Sequence, residues 1–145
     1  MKKQAGFTLV ELVVVIAVLG ILAATALPRF VNVTERANLA TARGVAASVR
    51  TAATLVHAAW IASGMTAAGN VPVDGGNVAV NGSGWPTNAT GGIEAALQSV
   101  SGVNLDHASV ANSTVFSLRD TAACSFTYDS TTGTVNEANI TVANC

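Results

Sequence analysis

Charge is scarce in this chain. Only 10% of its 145 residues are Asp, Glu, Lys or Arg, and both lysines fall within the first three positions. So little charge argues against a free soluble domain and suits a membrane anchor joined to one small head. Past Lys3 the balance is five Arg against eight acids, a formal −3, which gives no global electrostatic reason to expect nucleic acid as a partner. Histidine occurs twice, as His57 and His107, without the close pairing of a zinc motif. Asp106-His107 has no Ser or Cys at a known catalytic spacing, and no Gly-x-Ser-x-Gly elbow is present. The pairs Gly75-Gly76 and Gly91-Gly92 read as turns, because no Gly-Lys-Ser/Thr follows either of them. The sequence therefore predicts no catalytic centre, no metal site and no cofactor. Its two cysteines, Cys124 and Cys145, lie too far apart for a Cys-x-x-Cys site, and no internal repeat is evident.

What the chain has instead is one long apolar run, Phe7 to Leu27, broken by a single charge, Glu11. About 20 such residues suffice to cross a bilayer as a helix. A carboxylate inside a span of this kind costs about 2.5–3.5 kcal/mol at the helix centre, less near an interface, and by default marks function with a cationic partner. The run is not an ordinary secretory signal. Such signals put small residues after the apolar stretch, whereas Ala5-Gly6 precede it, directly after Met1-Lys2-Lys3-Gln4.

Residues Gly6-Phe7-Thr8-Leu9-Val10-Glu11, with the basic leader before them and the unbroken apolar helix after, resemble the processing site of type IV pilins and related pseudopilins. The resemblance implies that a prepilin peptidase cuts between Gly6 and Phe7 and that the new Phe7 amine is methylated. It makes residues 1–6 the leader, 7–28 the hydrophobic membrane and filament-core helix, and 29–145 the head, including the second half of the same helix. It further implies that Glu11 meets the Phe7 amine of a neighbouring subunit as chains join the filament. Aromatics are 5% of the chain and form no close ladder along the stem, so an electron-conducting fibre is not suggested.

Past the apolar run the chain stays Ala-rich to Ser63, with Gly64 a natural stop, which predicts one helix from Phe7 to Ser63 of roughly 85 Å at about 1.5 Å per residue. Val31, Ala42, Val45, Val49, Ala52, Val56 and Trp60 share a face. Arg29, Arg36, Arg43 and Arg50 recur every seven residues on another, with His57 next in the series. Pro28, lacking an amide donor, is expected to kink or open the helix, and Gly20 is a second weak point costing about 1 kcal/mol against Ala. Both match Gly and Pro positions in type IV pilins, and the resemblance implies that Gly20–Pro28 extends on assembly. The arginine stripe admits three readings. It is a solvated face, or it meets acids on another subunit's head, or it binds DNA, for which no basic-aromatic alternation exists. Six of the eight acids lie beyond the helix, which suits the second reading.

The segment from Gly64 to Gly92 reads as a loop with one short strand at Val78–Val80. Ile93–Val100 reads as a short helix. Thr114–Arg119 and Ser125–Tyr128 alternate as half-buried strands, Asp129–Gly133 turns the chain into a hairpin to Thr134–Glu137, and Ile140–Val142 is a last strand candidate. The expected fold is α+β: a long protruding helix packed against a small antiparallel sheet. With the head outside the cytoplasm, Cys124 and Cys145 most simply form one disulfide, the alternative being two buried thiols. A C-terminal disulfide loop again resembles type IV pilins. Five Asn-x-Ser/Thr triplets occur; most are read as chance, and glycans are not expected on them.

Within that family, residues Phe7–Ala23, the Ala-rich stem at Ala40–Ala53, Trp85-Pro86-Thr87 and Gly92–Leu97 are similar to the mannose-sensitive haemagglutinin (MSHA) class of type IVa pilins. The function implied is a non-enzymatic major pilus subunit, a helical homopolymer used for adhesion, biofilm formation or motility. Its implied partners are its own copies, the prepilin peptidase, the inner-membrane assembly machinery and, before assembly, the membrane. Its implied location is the inner membrane and then the extracellular pilus of a Gram-negative-type bacterium. A minor pilin or type II secretion pseudopilin is the first alternative. A single-pass anchored periplasmic binding protein is the alternative of another class.

Overall fold

The computed structural model describes residues 7–97, 101–107, 110–119 and 121–145, with the side chains of 26–32 outside the description. Its first element is a single helix, α1, Leu9–Ala62. The helix ends where the sequence predicts: the Ser63 amide donates to the Ala59 carbonyl at 2.9 Å and the Gly64 amide to Ile61 at 3.0 Å. Gly64 then takes φ 71°, a left-handed stop that glycine adopts without Cβ strain. Polar side chains on α1 are accommodated by donating back one turn: Thr41 to Ala37, Ser48 to Gly44, Thr51 to Ala47 and Thr54 to Arg50.

The chain divides into two compact units, residues 1–34 and 35–145. The first consists of the early part of α1, whose large apolar residues from Phe7 to Leu22 are all exposed. The second is the head, in which the rest of α1 meets two antiparallel sheets. Strands β1 (Gly69–Val73) and β2 (Gly76–Val80) form a hairpin. Strands β3 (Val103–Asp106), β4 (Ser113–Leu118), β5 (Thr121–Asp129) and β6 (Thr134–Asn136) form a sheet in sequence order. The fold is α+β.

The main core joins Ala42, Ala46, Val49 and Ala53 of α1 to Phe116, Phe126 and Tyr128 of the sheet, with Ile93, Ile140 and both cysteines. Small residues on the helix let the sheet approach closely, and the larger rings fill the space opposite. Phe116 and Phe126 are cross-strand partners and stack with centroids 4.9 Å apart. A second cluster, Val56, Val71, Val78 and Val80, seats the β1–β2 hairpin on the later part of the helix.

Several details differ from the sequence reading. The supposed loop after Gly64 holds a full hairpin, and β3 is an additional edge strand. Residues 93–97 are not an α-helix but consecutive turns, with Ala95, Ala96 and Leu97 amides each donating three residues back; 98–100 lie outside the described residues. Ile140–Val142 is not a strand. It folds on itself, Cys145 and Asn144 amides donating to Thr141, and drives Ile140 into the core.

Candidate functional site

Thr8 and Glu11 build the start of α1. The Thr8 hydroxyl accepts from the Glu11 amide at 3.3 Å, while Glu11 Oε2 accepts from the Thr8 amide at 2.9 Å and from its hydroxyl at 2.7 Å. This is a capping box, which satisfies amides that an uncapped helix end leaves unpaired. The spacing Thr-x-x-Glu is the sequence signature of such a cap. Glu11 Oε1 takes part in none of these bonds. Phe7 precedes the cap and is 80% exposed. Gly6 and the five residues before it lie outside the described residues.

From Leu9 to Leu22 the helix presents exposed Leu, Val and Ile in every direction, so this surface needs a covering of lipid or protein. The apolar stretch Leu9–Thr25 is followed by positions 26–32, whose side chains are outside the description. Leu9–Thr25 being shorter, Val33–Ala62 is the stretch among the described residues long and apolar enough to span a membrane, with mean hydropathy 1.3. We assign that stretch to the head, because Ala42, Ala46, Val49, Ala53 and Val56 are buried in its core and Arg36, Arg43 and Arg50 lie along it. Helix α1 runs through Gly20 and Pro28. Nothing lies within 4 Å of a Cβ added at Gly20. Pro28 and Arg29 have their side chains outside the description.

Of the face expected to pack, Ala42, Val49 and Val56 are buried and Val45, Ala52 and Trp60 are half-buried, while the side chain of Val31 lies outside the description. Arg36 and Arg43 are exposed. Arg50 has a partner within its own chain, Nη2 lying 2.6 Å from Glu137 Oε1 beyond β6. His57 does not continue the polar stripe. Its ring stacks on Trp85 at 4.0 Å and 7°, and on Trp60 at 5.9 Å and 15°. Trp85 arrives from a loop that heptad spacing on the helix does not see. Its position is set by Asn81, whose Oδ1 accepts from the Ser83 and Trp85 amides and whose Nδ2 donates to Ser130. His107 lies 3.4 Å from Glu94 and 3.3 Å from the Thr114 hydroxyl, and no group of three metal-ligating side chains occurs among the described residues.

Cys124 and Cys145 form the disulfide, with Cα atoms 4.6 Å apart. A break in the β4–β5 register prepares it: Ser117 faces Ser125 but Leu118 faces Thr121, leaving Ala122–Cys124 without partners on β4. Asn38 of α1 donates to the Cys145 carbonyl at 2.9 Å, so that end of the chain is held by both the sheet and the helix. Tyr128 is fully buried, and its hydroxyl donates to the Pro86 carbonyl at 3.0 Å. Burial, and then the adjacent Asp129 carboxylate, pushes the Tyr128 phenol well above its ordinary range.

Residues 1–27 match the prokaryotic N-terminal methylation motif. The chain is 52% identical over 50 residues to the type IV narrow pilus major component PilA5 of Thermus thermophilus, covering 34% of this chain and 43% of that protein. It is 45% identical over 53 residues to a fimbrial protein of Pseudomonas aeruginosa, covering 37% and 34% of the two chains. It is 47% identical over 60 residues to the type IV major pilin protein PilE of Neisseria gonorrhoeae, covering 39% and 36%. In each case the chain spans less than half the length of the curated relative it matches. No solved structure is significantly similar to it. The chain carries the N-terminal methylation motif and, over about a third of its length, is similar to type IV pilins.

Proposed function

We propose that this protein is the major structural subunit of a type IV pilus, cut between Gly6 and Phe7, methylated on the Phe7 amine and polymerised through α1. It acts without catalysis and without a cofactor. The observation that carries the reading is the methylation motif over residues 1–27, joined to an apolar stem whose large side chains are exposed from Phe7 to Leu22. Each large apolar side chain removed from water contributes on the order of 1.5–3 kcal/mol, so packing such stems together stabilises a fibre strongly. In the membrane lipid covers this surface; in the fibre other stems do.

In this proposal Glu11 supplies register by meeting a neighbour's Phe7 amine, its oxygen Oε1 being left out of the capping bonds with Thr8. Gly20 and Pro28 are the points where α1 opens as the subunit enters the fibre. Arg36 and Arg43, with Arg29, meet acids on other subunits, while Arg50 serves its own head through Glu137. The partners are further copies, a prepilin peptidase and an inner-membrane assembly machinery. The location is the inner membrane and then the surface of a Gram-negative-type cell, with attachment and biofilm formation of the MSHA kind as the output.

The experiment is an intact mass of the protein sheared from cells. A mass beginning at Phe7, with one added methyl and two hydrogens missing, supports cleavage, methylation, export and the Cys124–Cys145 bond together. A processed chain found only in the membrane points to a minor pilin or pseudopilin. A chain still bearing Met1–Gly6 in wild-type cells overturns the reading.

A further inference from the structure

The head carries a groove of about 990 Å³, floored by the exposed flank of α1 and walled by the β1–β2 turn and the turns at 95–97. Its lining is largely apolar, including Ala52, Leu55, Val56, Pro72 and Leu97, and its single charged residue is Asp74. Leu55 is 65% exposed in it. Asp74 is exposed at the tip of the hairpin, and among the described residues no salt bridge reaches it.

A surface of matching character lies earlier on α1 within the same head. Ala37, Ala40 and Gly44 are exposed and follow one another at helical spacings of three and four, so they share a face. Nothing stands within 4 Å of a Cβ at Gly44, so this strip is open to close approach. Arg36 and Arg43 border it, both exposed and without a salt bridge among the described residues. The strip thus pairs small apolar contact with cations, and the groove pairs apolar contact with an anion.

We propose that the groove receives the Arg36–Gly44 strip of a second copy of this chain, with Arg43 of that copy meeting Asp74. The strip cannot enter the groove of its own chain, since it belongs to the same continuous helix that forms the groove's floor. Strip and groove are different patches, so the contact is head-to-tail. Repeating it does not close a two-fold dimer; it adds further copies, in an open series wherever the rotation between copies does not close a ring. Opposite charges fix the register of such a contact and suppress wrong pairings more than they add affinity. The inference rests on the filament reading above and names which surfaces of the heads meet.

The test is charge reversal in the full chain, expressed in its own host, with sheared fibre quantified. Asp74→Arg and Arg43→Asp each lower fibre yield at least five-fold, and the double variant returns it to within two-fold of wild type. Both positions are exposed, and the membrane pool of each variant is checked for the processed, disulfide-bonded chain. Singles at wild-type yield, or a double no better than the singles with that pool intact, overturn the groove pairing while leaving the filament reading standing. Absence of fibre from wild-type cells overturns the filament reading and the pairing with it.

Discussion

Thr8 and Glu11 hold each other at the first turn of α1, with one carboxylate oxygen, Oε2, accepting both the amide and the hydroxyl of Thr8. A side chain on an exposed helix end would otherwise sample several rotamers. Here the carboxylate is already ordered by the cap, so in the proposed contact with a neighbour its ordering would not oppose association.

Glu11→Leu should therefore leave a processed, membrane-resident chain that yields few or no fibres. Thr8→Ala keeps the charge but removes the cap, costing about 1 kcal/mol at the helix start. Its fibre yield is expected between wild type and Glu11→Leu. Immunoblots of sheared and membrane fractions from the three strains decide the order, and Thr8→Ala at full wild-type yield would remove any role for the cap in orienting Glu11.

The disulfide closes a loop with a sequence separation of 21. In the chain-entropy account such a link contributes about 3 kcal/mol. Cys124→Ser should lower the melting temperature of the detergent-solubilised chain by roughly 10 °C, as followed by circular dichroism. A change under about 2 °C would mean that Asn38 and the buried Ile140 hold the end of the chain unaided.

Burial keeps the Tyr128 phenol protonated in the folded head beyond the pH at which an unfolded chain ionises. The raised folded value makes its contribution complete below about pH 10, the ordinary tyrosine range, and lost as pH climbs above it. Stability should fall above pH 10, and Tyr128→Phe should flatten that fall while costing about 1 kcal/mol at neutral pH for the lost bond to Pro86. Asp129 gives the opposite limb. Thr131 donates to it from hydroxyl and amide, holding its carboxyl below the ordinary range. Its contribution is present above about pH 4 and disappears as pH falls further. Urea melts across pH test both limbs.

Gly133 has φ 70°, and a Cβ there would lie 2.1 Å from the Trp85 ring. Gly133→Ala should destabilise by more than about 1 kcal/mol and disturb the His57–Trp85 stack, read from tryptophan fluorescence and thermal melts. Gly82→Ala is the control, because nothing lies within 4 Å of its added Cβ and its φ is not left-handed. Similar losses at both positions would show that the stack does not set the constraint.

The long helix, its glycine stop and the packing face were legible because period and length are properties of one segment. The strands around Phe116 and Phe126 were legible for the same reason. The β1–β2 hairpin was not, since Gly69, Asn70 and Pro72 weaken its first strand as a β signal, although Val71 and Val78 are both fully buried. Ile93–Leu97 has helical composition, yet Ile93 is drawn into the core and the chain turns at every third residue instead. Ile140 alternates like a strand residue but is buried in the same core cluster as both cysteines. At the site, Glu11 stood out as a lone charge in an apolar run. The roles of Arg50 and His57 depended on Glu137 and Trp85, which approach only through tertiary structure.

The Cys124–Cys145 bond, backed by Asn38, also changes what a cut in this part of the head can do. Any single break of the backbone between the two cysteines leaves both fragments covalently attached. A protease specific for glutamate, acting at Glu137, would give a chain that migrates at full size until thiol is added. A fibre nicked in this way at every head would stay continuous along its length, shedding peptides only where reductant is present.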